Sequence, residues 1–274
     1  MQNPVFSSSA VFGEKADRSV TRTDNALRAQ ASYPGLQQPV GAPPVGVQPT
    51  AYAPAANRTM TYEDVIVRTA GVFAVLLLAG VVGWHYGLRY PALIWVGLLG
   101  GLVLGLVNAF KKVPSPGLIL VYGAFEGLFL GAISAFYDYA WNGIALQAVL
   151  ATAATFVASL LLFRSGKVRV TPKFTRWLVV AISGYAIFSL VNLVLVWTGV
   201  LDGWGMRNGG FGVLIGLFAV GLAAASLIVD FDSIARGVRG GAPVRFAWSA
   251  AFGLVVTLVW LYLEFLRLLA ILRR

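Results

Sequence analysis

The sequence has no cysteine and a single histidine, His85. The first absence excludes disulfides, thiolate metal sites and cysteine nucleophiles, and the second excludes any site that needs two histidines from one chain. Charge is scarce as well. Asp, Glu, Lys and Arg make up 12% of the 274 residues, whereas a soluble domain carries roughly a quarter. Acid is the scarcer sign, with 11 Asp and Glu against 21 Lys and Arg and a formal net charge of +10. No HExxH, Walker A or GxSxG pattern occurs, so no enzyme is expected. Nor is a bound cofactor expected. A basic balance can serve nucleic acid, but these bases stand in short breaks between apolar runs, so no nucleic-acid partner is expected.

Apolar residues fill the space that charge leaves: 58% of the chain is hydrophobic. From Thr61 onward the apolar runs lie near 66–86, 92–110, 117–137, 144–163, 177–199, 211–231 and 248–272. Each is long enough to cross a hydrocarbon layer of ~30 Å as a helix, and none alternates as a barrel strand would. The expected fold is an all-α membrane protein of seven transmembrane helices over residues 60–274. Lipid is therefore its first partner. Residues 1–59, with PVGAPPVGVQP and no helical stripe, read as a disordered cytosolic tail. No apolar segment follows the start to act as a secretory signal. The motif TYEDVIVRTAG opens the first helix, with Thr61 as its cap and Glu63 and Asp64 in the first turn, where acids favour the helix dipole.

The breaks set an orientation. Arg58 and Arg68, Lys111 and Lys112, Arg164 to Arg176, and Arg236 to Arg245 recur at every second break. The alternate breaks hold only Arg89 and Arg207. The basic side is the cytosolic side, which puts the N-terminus there. Arg273 and Arg274 dissent, and the last helix either crosses fully or turns back. Glycines recur at four-residue spacing (97, 101, 105; 123, 127, 131; 212, 216), a pattern that lets helix backbones approach closely.

Against this background the informative residues are four acids inside or at the end of apolar runs: Glu126, Asp230, Asp232 and Glu264. A carboxylate at the middle of a membrane helix costs roughly 2.5–3.5 kcal/mol, so it normally faces the bundle interior and finds a partner. Glu126 either serves an ion pathway or bonds a neighbouring helix. Asp232 is an ion ligand or a solvated end residue. Glu264 stands three residues before Arg267, so the two could form a plain ion pair. Two buried acids can share a proton and act as a pH-sensitive latch, and carboxylates suit the hard calcium ion. Asp230 with Glu264 is the preferred pair, and His85 beside Trp84 reads as an interfacial anchor.

The segments VYGAFEGLFLGAIS, DFDSIARG and LYLEFLRLLAIL, in that order on the third, sixth and seventh helices, resemble the Bax inhibitor-1 family, which includes bacterial YccA- and YetJ-like proteins, and more closely its bacterial Bax inhibitor-1-like branch with a Pro-rich N-terminal tail. The resemblance implies a central last helix wrapped by two helix triplets, and a pH-sensitive calcium leak in a bacterial inner membrane. It implies that Asp230 and Glu264 face one another as tentative calcium ligands, with Asp232 as an extra one. It also implies a basic lock on the acids, for which Lys111, Lys112 and Arg267 are the candidates. Other membrane proteins, such as a protease or stress factor, are possible partners of a non-conducting regulator, and a proton-coupled solute carrier is a further alternative. The sequence departs from the family pattern in having Glu at 264. It also departs in a Asp230–Glu264 interval some ten residues longer than usual, with the extra residues, around 243–253, forming either a surface helix or an extension of the last helix.

Overall fold

A computed structural model describes residues 58–168, 170–203 and 205–273. The expected tail at 1–57 lies outside the described residues. Arg58 and Thr59, which were expected to belong to it, are instead tied down. Thr59 bridges Pro243, Met60 N–H donates to the Ala242 carbonyl at 2.7 Å, and Val244 N–H donates to Arg58 at 2.8 Å.

Among the described residues seven helices are long and apolar enough to cross a membrane: α1 (Tyr62–Gly87), α2 (Ala92–Phe110), α3 (Pro116–Ala140), α4 (Ile144–Arg164), α5 (Pro172–Trp197), α6 (Gly209–Arg239) and α7 (Ala247–Leu272). Short 3-10 turns, Gly205–Arg207 and Val244–Phe246, precede α6 and α7. Their starts follow local chemistry. Thr61 caps α1 in a full capping box with Asp64, which satisfies two otherwise orphaned backbone groups. Thr171 caps α5, and Pro stands in the first turn of α3 and of α5, where its missing N–H costs nothing. Gly143 takes φ 79° to start α4, and Asp138 Oδ1 accepts from the Gly143 N–H at 2.9 Å.

Glycine faces set how the helices meet. A Cβ at Gly123, Gly127 or Gly131 of α3 would run into Val72, Leu76 or Gly80 of α1, whereas one at Gly97, Gly101 or Gly105 of α2 would meet Phe129, Glu126 or Tyr122 on the other side of α3. The residue order shows α1 and α3 running parallel and α2 antiparallel to both. The last helix is a single unbroken α-helix that packs against α1, α3, α4 and α6. It is far more deeply buried than α5, whose only buried residues are Leu178 and Asn192 among those described. The residues around 243–253 form no surface helix. They complete the 3-10 turn and the first turns of α7, while α6 extends to 31 residues.

Candidate functional site

The two acids of the preferred pair both face the seam of α7 but sit at different heights. Asp230 Oδ2 accepts a hydrogen bond from Thr257 Oγ1 at 2.8 Å. Thr257 precedes Glu264 by seven residues, which places it on the same face two turns away, about 10 Å along the axis. Asp230 forms no ion pair among the described residues. Its oxygens lie near Gly253, where a Cβ would stand 3.9 Å from Oδ1.

Glu264 is occupied by other partners. It is 5% exposed. Its Oε2 accepts from Arg267 Nε at 3.1 Å and from Arg267 Nη2, and its Oε1 accepts from the Tyr185 hydroxyl of α5. Asp230 and Glu264 are thus not brought into contact. The interval between them is filled by Leu227 and Ala223 of α6 and Leu261 of α7, all fully buried within one apolar cluster. Their separation has a simple cause. Each acid bonds to the hydroxyl nearest its own level, and the antiparallel course of α6 puts Asp230 beside the first half of α7 and Gly216 beside Arg267 and Leu268.

The candidates for a basic lock divide. Arg267 engages Glu264, whereas Lys111 and Lys112 are exposed at the end of α2 and form no ion pair among the described residues. The lysines fail as a lock because α2 packs on α3 and α1, away from the α6–α7 seam. Asp232 pairs with Arg236 one turn on. Glu126 lies against Gly101 of α2, the small residue that leaves it room, and stands one turn after Tyr122 on α3. Among the described residues no group of three or more acidic or histidine side chains is arranged to hold a metal ion. Asp230 and Glu264 as found do not form a joint calcium site.

Three residues of this region had no role in the sequence reading. Thr257 carried a usable signal, its seven-residue spacing from Glu264 on one helix face. Tyr185 carried none. Arg207, read only as a loop charge, lies over the Tyr185 and Phe188 rings at 5.1 and 5.6 Å and donates to Ser189. Burial is the main reason its guanidinium is held below the ordinary arginine range, and the Arg267 charge adds to that effect.

The tail end of the bundle carries a second polar network. Asp64 pairs with Arg58 and with Arg68, the latter at 3.2 Å, and Arg68 lies 5.7 Å from the Trp248 ring centre. At the opposite end Arg273 donates to the Asn142 carbonyl at 3.0 Å and to Gln147 Oε1 at 2.7 Å. That contact explains why a base stands on the side otherwise poor in them. Elsewhere a cleft of about 680 Å³ lies between α1 and α4. Its walls are almost wholly apolar, apart from the Ser134–Tyr262 hydrogen bond of 2.6 Å on its floor.

A family model described as "Bax inhibitor 1 like" matches residues 3–274. The chain belongs to the Bax inhibitor 1 like family. The match runs into the Pro-rich N-terminal region, beyond the 60–274 stretch in which the resembling motifs lie. No curated protein matches the chain. Family membership and seven apolar helices make this Bax inhibitor 1 like chain an integral membrane protein.

Proposed function

We propose that this Bax inhibitor 1 like protein is a pH-sensitive, calcium-permeable leak whose path follows the α6–α7 seam, and that it is not an enzyme. The observation that carries this reading is Asp230, a carboxylate in the seam with one hydroxyl partner and no cation among the described residues. A lone carboxylate at membrane depth marks an ion or proton pathway, and its hard oxygens suit calcium. In this reading Asp230 is the entry ligand and Asp232 adds charge at the mouth. Leu227 and Leu261 form the apolar barrier, and Glu264, locked by Arg267 and Tyr185, awaits beyond it. Glu126 lies off this path. The base-rich tail end then faces the cytosol, as the positive-inside rule requires, and the host membrane is a bacterial inner membrane.

The sign of the pH response follows from competition. A proton and a calcium ion seek the same Asp230 oxygens, so acidification from pH 8 to pH 6 lowers flux. The test is calcium flux into liposomes reconstituted with the full chain. Asp230→Asn is expected to lower flux at least tenfold, and Leu261→Ser to raise it by a similar factor. Native-level flux in Asp230→Asn removes that residue from the path. No flux in native protein or in Leu261→Ser overturns the leak and favours a non-conducting regulator. That alternative has its own support, since Glu264 is fully partnered and the seam between the acids is closed by buried leucines.

A further inference from the structure

Charge does not balance where α5, the 205–207 turn and α7 meet. Among the described residues Arg267 and Arg207 bring two guanidiniums there, and Glu264 alone brings a carboxylate. Arg267 is 5% exposed. Its Nε and Nη2 edge is turned to Glu264, while Nη1 is buried with no hydrogen-bond partner among the described residues. Arg207 places one terminal nitrogen on Ser189 and its flat face on two aromatic rings, and its buried Nε has no partner among the described residues either. Asp202, the other carboxylate of that connection, is exposed and forms no ion pair among the described residues. From α6 the facing residue is Gly216, which adds no polar group.

Arg207 is half-buried, and the turn that carries it is held in place. The Met206 N–H donates to Asn192 Oδ1 at 2.7 Å, and a side chain at Gly205 would collide with Asn192 and Val196. The turn therefore fixes a cation beside an already neutralised pair. A buried charge without a counter-charge is strongly unfavourable, and charge-assisted N–H donors are the groups that bind anions best.

We propose that this cluster is a binding site for a small monovalent anion, held at Arg267 Nη1 with Arg207 supplying the second positive charge. One uncompensated charge selects a monovalent ion, because a divalent phosphate would leave a net negative charge at the same depth. Glu264 is then the competitor already in place, so the acid and the anion divide the two guanidiniums between them. This inference concerns anion binding and does not rest on the calcium reading.

The experiment is thermal unfolding of the purified full chain in detergent, titrated with chloride against gluconate at constant ionic strength. Native protein is expected to gain ~4 °C or more in Tm, saturably, as a ligand of the folded state requires. Arg207→Gln is expected to weaken the apparent Kd about tenfold or more, the equivalent of one good charge-assisted contact. Glu264→Gln works in the opposite direction. It removes the competing carboxylate, and the apparent Kd for chloride tightens about tenfold or more. A merely structural role for these residues would weaken both variants alike. Arg267→Gln abolishes the saturable response if the variant folds, and the other two variants carry the test if it does not. Absence of a saturable chloride effect in both native protein and Glu264→Gln overturns the proposal. So does a saturable effect that is the same in native, Arg207→Gln and Glu264→Gln protein, because the ion would then be bound elsewhere.

Discussion

Arg267 and Glu264 show how a charge survives in an apolar helix. Each is buried, and each holds the other three residues away on one helix face, with Tyr185 reaching in from α5 to take the remaining carboxylate oxygen. Burying both charges is costly, and the pair persists because removing either partner costs more. Arg267→Gln leaves the carboxylate with a phenol as its only strong donor, and a loss of about 3–5 kcal/mol is expected. The double variant Arg267→Gln with Glu264→Gln leaves no bare charge and is expected to lose less than the single one. Unfolding in mixed micelles, read as a double-mutant cycle, checks this. A double-variant loss equal to the sum of the separate Arg267→Gln and Glu264→Gln losses would show that the ion pair adds nothing beyond packing. The three-residue spacing made this pair legible in the sequence. The Tyr185 and Arg207 contacts were not, because nothing in local spacing says which turn of α5 lies beside α7.

The helices were legible as elements for a different reason. A membrane span must satisfy its backbone internally over a fixed thickness, so run length alone gives each helix to within a few residues, and Thr61 marks the start of α1. Glycine spacing also announced close-packed faces on α2 and α3, though not which neighbour each face meets. Gly131 makes a sharp test. An ideal Cβ there would lie on the Gly80 carbonyl and 2.8 Å from the Trp84 nitrogen, all of it backbone. No side chain can rotate away, so α1 and α3 must separate. Gly131→Val is expected to cost about 1–3 kcal/mol or more, as overpacking does. At Gly184 of α5 a Cβ meets nothing within 4 Å. Gly184→Ala is expected to be neutral or to gain about 0.5–1 kcal/mol from helix propensity. The same unfolding measurement on both variants separates the two cases. A mild Gly131→Val would mean that α1 and α3 do not pack through their backbones.

At the scale of the whole molecule the seven crossings carry opposite chemistries to the two membrane faces. The tail end gathers Lys111 and Lys112 after α2, Arg164 to Arg176 around the α4–α5 connection and Arg236 to Arg245 after α6, while the far end has Arg89, Arg207 and the pinned Arg273. An odd number of spans then places the end of α7 opposite the start of α1. The absence of cysteine gives a clean way to test this, since one introduced thiol is the only thiol in the chain. Lys112→Cys lies on the exposed α2–α3 connection at the tail end, and Tyr139→Cys replaces an exposed side chain, 83% accessible, near the far end of α3. In intact cells a membrane-impermeant maleimide is expected to label Tyr139→Cys, and Lys112→Cys only after permeabilisation. The reverse pattern would put the base-rich end outside, against the positive-inside rule, and would turn the Asp230 end of the seam away from the cytosol. Labelling of both from one side would contradict the crossing of α3 itself.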